Sequence, residues 1–161
     1  MYRERMETLK EWKVSKNRKP LIIRGARQVG KTWLMKEFGK LYYEKCAYIN
    51  FDNNSRMDIL FNEEFDLDRI IQGLKIESGI NIEPENTLII FDEIQETPKA
   101  LKTLKYFYEN ANEYHIVAAG SLLGVAMHQG TSFPVGKVNF MDLMPLSFFE
   151  FLDALGQEHL L

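Results

Sequence analysis

Two glycines five residues apart, with a lysine and a threonine directly after the second, suit one kind of chemistry, the holding of a chain of phosphates. The stretch IIRGARQVGKTWLM, residues 22–35, places Gly25, Gly30, Lys31 and Thr32 in the pattern G-x-x-x-x-G-K-[ST]. Gly25 and Gly30 let the backbone approach phosphate oxygens with no Cβ in the way. The amides of Ala26, Arg27, Gln28 and Val29 between them then point inward as an anion nest. A helix opening near Lys31 presents its positive dipole end to the same charge. Lys31 reaches the β- and γ-phosphates of a nucleoside triphosphate, and the Thr32 hydroxyl takes one place on Mg²⁺. Trp33 follows at once and closes the set of candidate nucleotide-binding residues.

A second pattern complements the first. TLIIFDEIQ, residues 87–95, is an apolar run that ends in two acids, Asp92 and Glu93. A carboxylate at the carboxyl end of a parallel strand is where a ligand on the phosphate loop is met, so Asp92 is the candidate metal-side residue beside Thr32. Glu93 next to it can orient and deprotonate an attacking water. HIVAAGSLLG, residues 115–124, is another buried run, ending in a hydroxyl at Ser121. Ser121 either senses the γ-phosphate or the water, or caps the short helix behind it. The candidate catalytic residues are therefore Glu93, Lys31 and Ser121. Arg27, inside the loop, touches phosphate or reaches solvent, while Arg24 before it reads as structural.

These groups need elements to hold them. Leu21-Ile22-Ile23 reads as a buried parallel strand, and Trp33 to Phe38 continues as a helix. Upstream, an amphipathic helix carries Tyr2, Met6, Leu9 and Trp12 near one face and ends in the polar link SKNRKP. CAYINF, residues 46–51, is a strand with Asp52-Asn53-Asn54 as its turn. Leu67, Ile70, Ile71 and Leu74 recur at helical spacing within Asp66 to Leu74. Thr87 to Phe91 is the strand before Asp92. Thr97-Pro98 reads as an N-cap and first-turn pair for the helix bearing Leu101, Leu104, Phe107 and Tyr108. HIVAAG (115–120) and KVNFMDL (137–143) supply two more strands. Ser147 and Glu150 form a capping box before FFEFLDAL, whose Phe148, Phe149, Phe151, Leu152 and Leu155 offer more apolar surface than one helix face needs. Five strands alternating with helices predict an α/β fold, an open, mainly parallel five-stranded sheet covered on both faces.

At 161 residues the chain suits one domain with a substantial core. A net charge of -3 argues against a strongly basic nucleic-acid surface, although a small patch is compatible with it. Cys46 is the sole cysteine, so neither an intrachain disulfide nor a cysteine-based zinc site can form. No apolar run approaches the length of a membrane span, and the expectation is a cytoplasmic protein without a membrane partner.

The order GARQVGKT, LIIFDEIQ, AAGSLLG and VGKV…LMPLSFFEFL resembles the AAA-type ATP-binding domain of a bacterial and archaeal family of predicted ATPases. The resemblance covers nearly the whole chain. It implies a P-loop NTPase fold of the additional-strand type, a three-layer sandwich in which the strand bearing Ser121 lies between the phosphate-loop strand and the Asp92 strand. It also implies ATP and Mg²⁺ as cofactors, Glu93 as base and Ser121 as sensor. In that family a winged-helix or nuclease-like domain of unknown function follows. Two departures stand out. Lys137 occupies a position where the family more often has Arg, and Lys lacks the planar fork an arginine role needs. The chain also stops at Leu161, where family members continue. The expectation is one AAA-like domain over 1–161, with a helix and linker over 1–18 and the start of a helical extension over 145–161. Its ATP hydrolysis would act on a C-terminal domain absent here or on further copies of the chain. The rivals are a nucleotide-gated binding module with little hydrolysis, a small-molecule kinase, for which no arginine-rich lid segment is seen, and a GTPase, for which no N-K-x-D or T-K-x-D occurs.

Overall fold

The computed structural model describes residues 2–25, 30–120 and 136–144. In chain order the elements are α1 (Tyr2–Val14), β1 (Leu21–Arg24), α2 (Lys31–Tyr42), β2 (Lys45–Asn50), α3 (Ser55–Asn62), α4 (Leu67–Ser78), β3 (Thr87–Asp92), α5 (Pro98–Asn110), β4 (His115–Gly120) and β5 (Asn139–Asp142). A single 3₁₀ turn, Ile94–Glu96, links β3 to α5.

The strands form one sheet in the order β2-β3-β4-β1-β5. Every pairing is parallel. β3, β4 and β1 are central and helices cover both of their faces, so every residue on them except Arg24 is buried. Alternation sorts the side chains into two cores. Ile22, Ile89, Phe91, Ile116 and Ala118 face α3, α4 and α5, where Met57, Phe61, Ile70, Leu74, Leu104 and Phe107 meet them. Leu21, Ile23, Leu88, Ile90, Val117 and Ala119 face α1 and α2 and meet Leu9, Trp12, Leu34, Met35 and Phe38. This is the three-layer α/β sandwich expected, and β4, which leads into Ser121, lies between β1 and β3 as the resemblance implied.

Two local features depart from the expectation. Helix α3 directly follows the turn at 52–54, because the Asn54 side chain accepts from the Met57 amide and caps it while Met57 and Phe61 bury one turn apart. Thr97 sits at the N-cap of α5 without capping it. Its hydroxyl donates to Asp58 Oδ1 at 2.8 Å, tying α3 to the turn after β3. Helix α4 ends within ESGINIEPEN, at Gly79, whose φ of 73° suits glycine, with the Gly79 amide bonded to the Lys75 carbonyl. The expected helix over 147–155 falls outside the described residues, as do its apolar side chains.

Candidate nucleotide-binding site

Parallel strands with short carboxyl-terminal loops bring the two sequence patterns to one edge of the sheet. β1 ends at Arg24 and β3 ends at Asp92, with β4 between them. Gly30, the N-cap of α2, has φ 89°, a left-handed conformation a side chain would strain, and a Cβ there would meet nothing within 4 Å. Lys31 opens α2 and is only 7 % exposed. Its Nζ donates to the Gly25 carbonyl at 2.9 Å, which closes the two ends of the loop on each other. Burial lowers the Lys31 ammonium below its ordinary value, and the charges of Glu93 and Asp92 oppose that shift. Lys31 is thus a largely buried ammonium within the electrostatic reach of two carboxylates.

Asp92 is 3 % exposed and carries hydrogen bonds on both carboxylate oxygens. Oδ2 accepts from the Thr32 hydroxyl at 2.6 Å and from the Tyr48 hydroxyl at 2.7 Å. Oδ1 accepts from the Glu93 amide at 3.0 Å. Thr32 and Asp92 are 60 residues apart in the chain and in direct contact in the fold. Glu93 has φ 56°, left-handed for a residue with a side chain, at the head of the 3₁₀ turn. Gln95 Nε2 donates to Glu93 Oε2 at 2.7 Å.

Gly25, Gly30, Lys31, Thr32, Asp92 and Glu93 thus meet where the sequence placed them. Trp33 lies on the first turn of α2 and is 46 % exposed. Ala26, Arg27, Gln28, Val29 and Ser121 lie outside the described residues. Arg24 is structural, as read: its guanidinium pairs with Asp142 at 2.8 Å and lies over the Phe140 ring, fastening β5 to β1. Lys137 lies over the Tyr108 ring. The sequence reading missed Tyr48 and Gln95. Tyr48 has burial and its bond to Asp92 raising its hydroxyl above the ordinary range, so it is a donor, and the Lys36 ammonium lies 4.0 Å from its ring centroid. No spacing motif marks Tyr48, although its place two residues before the end of a strand neighbouring β3 is a usable signal.

The donor set fits a small hard cation shared with phosphate. Thr32 and Asp92 offer a hydroxyl and a carboxylate, both oxygen donors suited to Mg²⁺. Among the described residues no group of three or more His, Cys, Asp or Glu side chains could hold a metal alone. Thr32 and Asp92 would therefore hold the ion together with oxygens of a bound phosphate and water.

A family profile described as AAA domain matches residues 17–152. The chain belongs to the AAA domain family. The fold of this AAA domain is similar to that of a Walker-type ATPase of Pyrococcus abyssi, with a TM-score of 0.62, 17 % identity, and coverage of 98 % of this chain and 57 % of that one. It is also similar to the Drosophila ORC bound to DNA (TM-score 0.63, 17 % identity, 94 % of this chain and 45 % of that one). PCH-2 of C. elegans is a third (TM-score 0.53, 15 % identity, 96 % and 48 %). The chain therefore spans about half the length of these structures. No curated protein matches it. Among the described residues no helix is long and apolar enough to cross a membrane.

Proposed function

We propose that the site binds Mg-ATP and hydrolyses it to ADP and phosphate, and that the energy is coupled to a conformational change in a C-terminal domain or in neighbouring copies of the chain. The observation that carries this reading is the Thr32 hydroxyl on Asp92 Oδ2 at 2.6 Å, with Lys31 beside them and Glu93 following at once. The contact supports reading Lys31 as a phosphate-directed cation, Thr32 and Asp92 as metal-directed oxygens, and Glu93 as the candidate base.

The roles follow from the side chains. The amide groups at the start of α2 and the Lys31 ammonium hold the phosphates and draw charge toward the leaving side. Thr32 and Asp92 would hold Mg²⁺, which would supply charge neutralisation on the phosphates. Tyr48 fixes the Asp92 carboxylate. Glu93 orients a water and takes its proton as the water oxygen bonds to the γ-phosphorus. The bond from that phosphorus to the β–γ bridging oxygen breaks, and ADP leaves. Ser121 is proposed to sense the γ-phosphate, and Ala26, Arg27, Gln28, Val29 and Trp33 to complete the nucleotide contacts. We place the protein in the cytoplasm.

A titration of the chain with ATP, GTP and ADP in the presence of Mg²⁺, run beside Lys31→Ala, tests the binding step. ATP binding by the parent and its loss in Lys31→Ala, with the fold retained by circular dichroism, is the expected result. Equal ATP affinity in the two proteins removes the assignment of the loop.

A further inference from the structure

The turn after β3 holds a side chain to which the proposed reaction assigns no part. Gln95 Nε2 donates to Glu93 Oε2 at 2.7 Å and has Glu96 Oε1 at 3.5 Å. Two carboxylate oxygens around the same end of the amide identify that end as the nitrogen, since a carbonyl there would face them with no proton between. At the other end, Gln95 Oε1 is buried and accepts no hydrogen bond from the described residues. An amide oriented for its own satisfaction would not leave that oxygen without a partner among the described residues. Its orientation is set by Glu93.

The surrounding backbone is arranged to the same end. Ile94, the residue between the pair, is fully buried in the core below β3. On either side of that anchor, Glu93 has a left-handed φ of 56° and Gln95 reaches back to its carboxylate. The Thr97 amide bonds back to the Ile94 carbonyl at 3.0 Å, and the Thr97 hydroxyl is tied to Asp58. A left-handed Glu93 and a buried oxygen with no partner among the described residues are both retained, and beside them is a carboxylate with one oxygen fixed.

We propose that Gln95 is a positioning residue for Glu93: its amide holds Oε2 so that Oε1 is the oxygen that takes the proton of the attacking water. The proposal rests on the reading of Glu93 as base. A bond that orients the base acts on the chemical step and leaves nucleotide affinity alone, and it has nothing to act on once the base is gone.

The test is a double-mutant cycle in the full chain with Glu93→Gln, Gln95→Leu and both together, read by single-turnover phosphate release from Mg-ATP. Gln95→Met serves in place of Gln95→Leu if the branched side chain does not fold. Expected is a drop of about tenfold in the rate for Gln95→Leu, with the ATP concentration at half-maximal rate changed less than about twofold. In the Glu93→Gln background the same change should alter the rate less than about twofold. An unchanged rate in Gln95→Leu, or the same tenfold drop in the Glu93→Gln background, overturns the positioning role. Parental turnover in Glu93→Gln alone removes the base reading instead, and the positioning proposal with it.

Discussion

His115 should make this fold measurably acid-sensitive, by an amount the structure sets. It opens β4, is 6 % exposed, and shares a hydrogen bond of 2.6 Å between its Nδ1 and the Tyr43 hydroxyl. The Trp12 and Tyr43 rings stand edge-on to the imidazole at 5.9 and 5.5 Å, so the histidine joins α1 and the end of α2 to the sheet. Burial, helped by the positive charges of Arg18 and Lys13, pushes His115 down from 6.5 to about 4. The sign follows directly. The unfolded chain takes up a proton below pH 6.5 and the folded chain does not until about pH 4, so stability is lost as pH falls through that window and levels off below it. Linkage between those two values costs about 2 kcal/mol at pH 5 relative to pH 7. For a domain of this size that lowers the melting temperature by about 4–8 °C. Carboxylates add their own acid sensitivity, so the contribution of His115 is read by difference. His115→Gln keeps an acceptor for Tyr43 and cannot titrate in this range. Melting curves of both proteins between pH 7 and pH 5 should diverge, the parent falling further by about 2 kcal/mol. Parallel curves would refute the reasoning and mean that His115 is charged in the fold or solvated.

Three other outcomes are expected. Glu93→Gln should bind Mg-ATP like the parent and release phosphate on the order of a hundredfold more slowly, measured by coupled phosphate assay, whereas comparable turnover moves the base elsewhere. Tyr48→Phe, which removes one of the hydrogen bonds on the buried Asp92 carboxylate, should cost about 1–2 kcal/mol in urea unfolding and raise the Mg²⁺ concentration needed for hydrolysis. An unchanged requirement for the metal would separate Tyr48 from the site. Gly39→Ala should destabilise by about 1–3 kcal/mol in the same assay, although alanine normally favours a helix. Its Cβ would lie 2.8 Å from Cys46 Sγ and 3.3 Å from Leu88 Cδ2, where α2 packs on the sheet. A gain in stability would show that the interface yields.

What could be read from the chain was local. Gly25, Gly30, Lys31 and Thr32 were legible because their task depends on backbone freedom and on offsets within one loop and one helix turn. Asp92 and Glu93 were legible because they end an apolar run, and the carboxyl end of a buried parallel strand is where such a fold meets a ligand. The periodicity of Leu67, Ile70, Ile71 and Leu74 marked α4 for a similar reason, since one face of a helix repeats along its own sequence. Helix α3 was not legible, because it spans only 8 residues and its apolar residues Met57, Ile59, Leu60 and Phe61 form a run too short to separate a helical from an extended period. Thr97 was read as a cap from its neighbour Pro98, and only packing brought Asp58 near enough to claim its hydroxyl. Tyr48 shows the limit most clearly. Register pairs Tyr48 with Ile90 and Asn50 with Asp92, so Tyr48 and Asp92 are diagonal neighbours on one face of adjacent strands. A shift of one residue would turn Tyr48 to the opposite face and leave Asp92 without it. Types and spacing determined which residues could do the chemistry, and strand order and register decided which side chains hold them in place, because a contact between strands is set by alignment across the sheet and not by distance along the chain.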